Sequence, residues 1–354
     1  MTSLWLIGNS AFKLLESLVW MLAIMASTYS VRCFIRASLL HFNLKLILIN
    51  FSIGLVLYGA SRLGMNVDSV LQSFGVGPAN LACRNALIAP KVLTAITMLM
   101  GFSCVLLITV ERTVATFVPR KYEQMNKAEP GVVVFIAVWI TSIFVAMAIT
   151  FTSNGESPQC DRAVPSDSAF IIHSHTELLL AIFILGTSGS AINGALLYFL
   201  HTHNKKRRNK IAPGQLNVRY QYTENIMTTR FLVALTIVVF VVGFTGTIII
   251  LSYLIVRNTD LLPDEDLIFI EQCFHCVAAF YGVLHNVVCL GMHRPNRDQL
   301  LRDFSWCFRR TTKVEKSGNP QVKSVEGQYL SFKNETTVYF SYLSQQWNST
   351  PSLA

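Results

Sequence analysis

The segment from Phe231 to Val256, FLVALTIVVFVVGFTGTIIILSYLIV, carries no charged residue. Crossing the hydrocarbon core of a bilayer takes about 20 mostly apolar residues in a helix. This segment exceeds that length, and nothing in it would hold one face in water. Six more stretches meet the same requirement, at 14–35, 42–65, 87–110, 131–152, 178–200 and 267–292. The fourth in chain order, GVVVFIAVWITSIFVAMAITFT, is as clean as the sixth. The second and seventh carry ionisable groups in or near them: Lys45, Glu271, His275 and His285. The chain is therefore expected to be all-α, a seven-transmembrane helix bundle over residues 1–310, with residues 311–354 as a flexible cytoplasmic tail. No stretch between spans is long enough for a soluble domain, and the spans show no internal repeat.

Of the 354 residues, 52% are apolar and only 14% are charged, against roughly 25% charged in an ordinary soluble domain. The net charge of +9 needs no nucleic-acid partner, because membrane proteins concentrate Lys and Arg in their cytoplasmic loops. Lys13, Arg62, Arg84, Lys91, Arg162 and Arg257 fall on one side of the expected bundle, and the other 23 of the 29 Lys and Arg on the opposite side. The expected topology is an extracellular N-terminus and a cytoplasmic C-terminus. No basic segment precedes the first apolar run, so the first helix is expected to be its own membrane-entry signal. Three Asn-x-Ser/Thr sequons occur, at Asn50 inside a span and at Asn334 and Asn348 in the tail. None is expected to be glycosylated.

A few residues carry possible chemistry. Cys83 and Cys160 lie on the expected outer side, where an oxidising compartment favours a disulfide between them over two free thiols. Cys273 and Cys276 form a C-x-x-C that reads as packing or pocket lining, since a zinc site wants four ligands; no metal site is expected. Glu111 and Arg112 end the third span. The plain reading is interfacial anchoring; the sharper one is a switch in which Arg112 pairs with Glu224 at the foot of helix six and is released on activation. The run HNKKRRNK at 203–210 directly follows a span and suits anionic lipid headgroups. After the seventh span, Leu300, Leu301, Phe304, Cys307 and Phe308 share one helix face, which predicts a short amphipathic helix in the cytoplasmic interface. Cys307 on it is either palmitoylated or an unmodified thiol. Glu16, Lys91, Glu271 and His275, near the outer halves of spans, are ligand-pocket candidates, or else snorkel to the interface or pair with one another. No hydrolase, metalloprotease or phosphate-loop pattern is present, so no enzyme is expected. No Lys lies in the seventh span, which excludes a retinal Schiff base there, and no cofactor is expected.

Three segments carry a resemblance. ERTVATFVPRKYE at 111–123, RYQYTEN at 219–225 and HFNLK at 41–45 resemble sequences at matching positions in nematode serpentine receptors of the Sra superfamily, the epsilon class first and the alpha-beta class next. The likeness spans about residues 10–310. It implies a G-protein-coupled chemosensory receptor of neuronal or ciliary plasma membranes, with a small-molecule or peptide ligand and a heterotrimeric G protein as partners. By the same resemblance Glu111 and Arg112 hold the place of the acid–Arg pair of rhodopsin-like receptors. Thr113 replaces the aromatic common there, and the seventh span ends in HNVVCLGMHRP instead of N-P-x-x-Y. Rhodopsin-like switch details therefore do not transfer wholesale. The alternatives are a seven-span channel or transporter, which would need a polar path that spans four and six lack, and a non-signalling membrane scaffold.

Overall fold

In lipid, backbone N–H and C=O groups find no water, so a spanning segment must bond them internally. The apolar runs accordingly form helices. The computed structural model describes residues 3–37, 40–73, 88–118, 129–153, 176–211, 216–259 and 264–307, together with Ser344. Among the described residues the helices are α1 (Ser3–Arg36), α2 (Phe42–Ser73), α3 (Ile88–Phe117), α4 (Glu129–Ser153), α5 (Thr176–Lys210), α6 (Leu216–Asn258), α7 (Asp264–Gly291) and α8 (Arg294–Cys307). Helices α1 to α7 are each long and apolar enough to cross a membrane. All seven belong to one compact unit, Met1–Asp303. The expected short helix after the seventh span is α8.

The helices overrun the apolar stretches. α5 continues through the basic run to Lys210, and α6 begins at Leu216, well before Phe231. Hydropathy marks the length in contact with lipid. The backbone stays helical as long as residues such as Arg, Lys, Gln and Glu, all good helix formers, allow it. At 1.5 Å per residue the 43 residues of α6 extend about 65 Å, twice the roughly 30 Å of hydrocarbon they cross. Pro90, Pro130 and Pro295 each sit within the first three positions of their helix, where a missing N–H leaves no intrahelical bond unmade. Gly291 ends α7, and Asn296 Nδ2 donates to the Cys289 carbonyl at 3.1 Å, filling one of the acceptors a helix C-terminus leaves open.

α3 packs against α2, α4, α5 and α6; α1 sits between α2 and α7; α5 and α6 share the most extensive interface. α4 is peripheral. The polarity of a soluble protein is inverted. Phe144 is 73% exposed and Leu185 72%, whereas Glu16, Arg62, Asn50, Asn193 and Asn286 are buried. Lipid as solvent requires an apolar outside, and it confines the polar side chains to the interior, among the buried apolar ones. Between helices in lipid no hydrophobic driving force operates, so close packing and interhelical hydrogen bonds hold the bundle. Trp20 of α1 shows the packing. It is 1% exposed and lies against Gly59 of α2 and Gly282 of α7. A Cβ at Gly59 would stand 2.7 Å from the indole, and one at Gly282 3.2 Å from it. Asn286 shows the bonding. Its amide donates to Ser27 Oγ and accepts from Ser30 Oγ, both at 2.7 Å, tying α7 to α1.

Candidate functional site

At the upper end of the bundle, the end where α1 begins, charged side chains converge from α1, α2 and α7. Glu16 is fully buried. Its carboxylate accepts from Arg62 Nε at 3.0 Å and Nη2 at 3.2 Å, from Gln272 Nε2 at 2.6 Å and from Trp20 Nε1 at 3.2 Å. Arg62 also donates to Asn66 Oδ1 at 3.4 Å, and Asn66 donates to Ser17. Lys13, one turn above Glu16, donates to Ser69 of α2. Glu271 lies 3.6 Å from His275 Nε2. Two acids and two bases thus share one buried cluster that is formally neutral. Burying an unpaired charge would cost several kcal/mol; the Glu16–Arg62 ion pair, and the opposite charges of Lys13 and Glu271 near it, let these four enter the bundle.

A cavity of about 130 Å³ lies beside this cluster. All of α1, α2, α3, α5, α6 and α7 contribute to its wall, with Trp20, Tyr58, Met98, Phe102, Phe183 and Phe274 among the lining side chains. The aromatic rings pack edge to face: Phe102 on Phe183 at 5.7 Å and Phe183 on Phe274 at 5.2 Å between centroids. Such geometry fixes the wall more firmly than aliphatic chains would. Glycines keep space open where the helices come close. At Gly186 a Cβ would run into the Phe102 ring.

At the opposite, lower end a second constellation ties α3 to its neighbours. Arg112 is 3% exposed. Its Nε and Nη2 donate to the two carboxylate oxygens of the adjacent Glu111, each at 2.5 Å. Its Nη1 donates to Asn225 Oδ1 of α6 at 3.3 Å, and Asn225 Nδ2 donates back to the Ala115 carbonyl of α3 at 3.2 Å. Asn204 of α5 donates to Thr116 Oγ1 of α3 at 3.1 Å. α5, α3 and α6 are thereby stitched together at this end.

Of the residues singled out from sequence, Glu16, Glu271 and His275 come together in the upper cluster and are not among the cavity-lining residues. Lys91 lies on α3, its side chain outside the described residues, as are Cys83 and Cys160 altogether. Cys307 ends α8, its side chain likewise undescribed. Glu224 is half-buried one position before Asn225. Cys273 and Cys276 are free thiols, the second buried. Asn50 accepts from Trp139 Nε1 of α4 at 2.9 Å and is 2% exposed, a packing that leaves no room for a glycan. Sequence reasoning passed over Lys13 and Arg62, which it counted with the loop charges, and over Gln272 and Asn225. Arg62 did carry a signal: a basic residue inside the apolar run 42–65 must be paired.

The profile of the family described as Serpentine type 7TM GPCR receptor class ab chemoreceptor matches residues 1–305. The chain belongs to this family. Serpentine receptor class alpha/beta-14 of Caenorhabditis elegans is 23% identical over 277 residues, covering 73% of this chain and 67% of that protein. A second C. elegans protein, named Probable G-protein coupled receptor F27E5.8, is 21% identical over 369 aligned positions, covering 97% and 93% respectively. The Sra-superfamily reading stands, and within it the class is the alpha-beta one. The chain is thus an integral multi-pass membrane protein of a receptor class, not of an enzyme class.

Proposed function

We propose that this serpentine receptor binds an environmental small molecule in the aromatic-lined cavity and signals to a heterotrimeric G protein at its lower end. The observation that carries this is a shared pair of helices. α3 lines the cavity through Thr97, Met98, Met100, Gly101 and Phe102 and carries Arg112; α6 lines it through Val239, Val242, Gly243 and Gly246 and carries Asn225. An occupant that alters the α3–α6 spacing acts on the Arg112–Asn225 bond through rigid helix, over about 15 Å along α3 and about 21 Å along α6. Ligand then shifts a pre-existing equilibrium between two packings. Glu224, next to Asn225, takes part in the same switch. The lower end faces the cytoplasm, where Lys205, Lys206 and Arg207 on the end of α5 are exposed and suit anionic headgroups. Because Lys13 and Arg62 are buried, they are not loop charges, and the imbalance of basic loop residues toward the lower end is the stronger for it. The receptor's place is the plasma membrane of a sensory cell, with a ciliary location following from the resemblance.

Basal signalling of Asn225→Ala, read as calcium or cyclic-nucleotide change in heterologous cells, tests the switch. A hydrogen bond to a charged group contributes about 1.5–3 kcal/mol, so the loss of this part-buried one should raise basal output at least several-fold at equal surface expression. If Asn225→Ala and Glu224→Ala both signal like wild type, the latch has no role.

A further inference from the structure

We infer that the cavity takes an uncharged, apolar molecule of about one aromatic ring, and that the charged cluster beside it neutralises itself and binds no charge on the ligand. The inference rests on the receptor reading above and specifies the ligand class.

Three observations carry it. The first is size. An apolar cavity of about 150 Å³ accommodates benzene, and this one measures about 130 Å³. The second is the wall. Among the described residues no acid, Lys, Arg or His lines it, and the polar atoms that do belong to lining side chains are already engaged behind it. Trp20 Nε1 donates to Glu16, Thr97 Oγ1 donates to the Leu93 carbonyl at 2.9 Å, and the Tyr58 and Tyr281 hydroxyls lie 3.5 Å from His275 Nδ1 and His285 Nδ1. A ligand carboxylate or ammonium here would be buried without a partner, at a cost of several kcal/mol. The third is the neighbouring charge. Glu16 is saturated by Arg62, Gln272 and Trp20, so recruiting it for a ligand amine would strand Arg62. Free aromatic edges and faces remain, and they suit a second ring.

Gly101 supplies the test. It lines the cavity, and a Cβ built on it meets no atom within 4 Å. Gly101→Leu should fill the space without displacing the wall, and Gly101→Ala should fill part of it. Thermal unfolding of the full chain in nanodiscs would be followed with three probes that share one aromatic ring: toluene, benzoate and benzylamine. At a hundredfold excess over Kd, toluene should raise the wild-type Tm by about 4 °C. The shift should shrink in Gly101→Ala and vanish in Gly101→Leu, while the two charged probes give none. A toluene shift that persists undiminished in Gly101→Ala, a benzoate or benzylamine shift as large as that of toluene, or no shift with any probe overturns the inference. Signalling in cells separates the two layers. If toluene binds as expected and neither raises nor lowers output, the ligand class holds and the receptor reading of the cavity fails. If a charged probe alters output through a response that Gly101→Leu abolishes, the receptor reading holds and the ligand class fails.

Discussion

Removing the members of the buried Glu16–Arg62 pair one at a time should cost far more in sum than removing both together. Arg62 has a side chain only 7% exposed. In Glu16→Leu it loses both carboxylate contacts and keeps Asn66 at 3.4 Å. Stranding a buried charge costs about 3–5 kcal/mol. For a chain this long, each kcal/mol lowers Tm by about 1.3 °C, which puts the fall at roughly 4–7 °C. Arg62→Met strands Glu16 instead, with Gln272 and Trp20 as its remaining donors, and should fall by a similar amount. In the double variant no charge is stranded. What remains is the loss, common to Glu16→Leu, of an acceptor for Trp20 Nε1 and Gln272 Nε2, at about 1–3 kcal/mol for each buried group left unsatisfied. The single losses should therefore sum to far more than the double loss, with a coupling energy of at least about 2 kcal/mol. Thermal unfolding of the four proteins in nanodiscs measures the cycle. Additive losses, with coupling below about 0.5 kcal/mol, would show that the pair is not the electrostatic unit its geometry describes.

Two other outcomes follow from the lower half. Asn286→Leu removes both hydrogen bonds that join α7 to Ser27 and Ser30 of α1. At the values found for interhelical bonds in lipid it should cost about 1–2 kcal/mol, read as a lower Tm that Ser27→Ala then barely worsens. His293, between α7 and α8, is held below its ordinary pKa by burial, against a smaller opposing hydrogen bond with Asn296. A neutral buried imidazole contributes its full stability above about pH 6.5 and loses it as the pH falls from there toward the folded-state value. Acidification from pH 7.5 to pH 5.5 should lower the Tm of wild type more than that of His293→Phe.

The span pattern was legible because lipid imposes a length and a polarity that no neighbouring residue can override. Phe231 to Val256 reads as a span in any context, and α6 contains it. The ends were less legible. Nothing apolar marks Leu216 or Lys210, and both lie in helix that hydropathy passes over. The clustering of Glu16, Glu271 and His275 depends on the rotation of α1 against α7, which evenly apolar helices do not encode in their periodicity. Arg62 was readable as a span residue, yet its partner lay 46 positions away and only the antiparallel packing of α1 and α2 brings them together. Asn225 sits in the quoted segment RYQYTEN beside the acid that attracts notice; an uncharged amide carries no comparable signal.

The length of α6 turns a small event into a large one. Gly243 sits at the cavity wall, and Leu216 lies 27 residues nearer the other end, about 40 Å away. If the helix pivots as a stiff rod with its fulcrum at Gly243, a rocking of about 5° swings the Leu216 tip by about 3.5 Å. An occupant that nudges the rod by a fraction of an ångström beside Phe183 and Phe274 is thus geared up into a stroke that a protein docked below can feel.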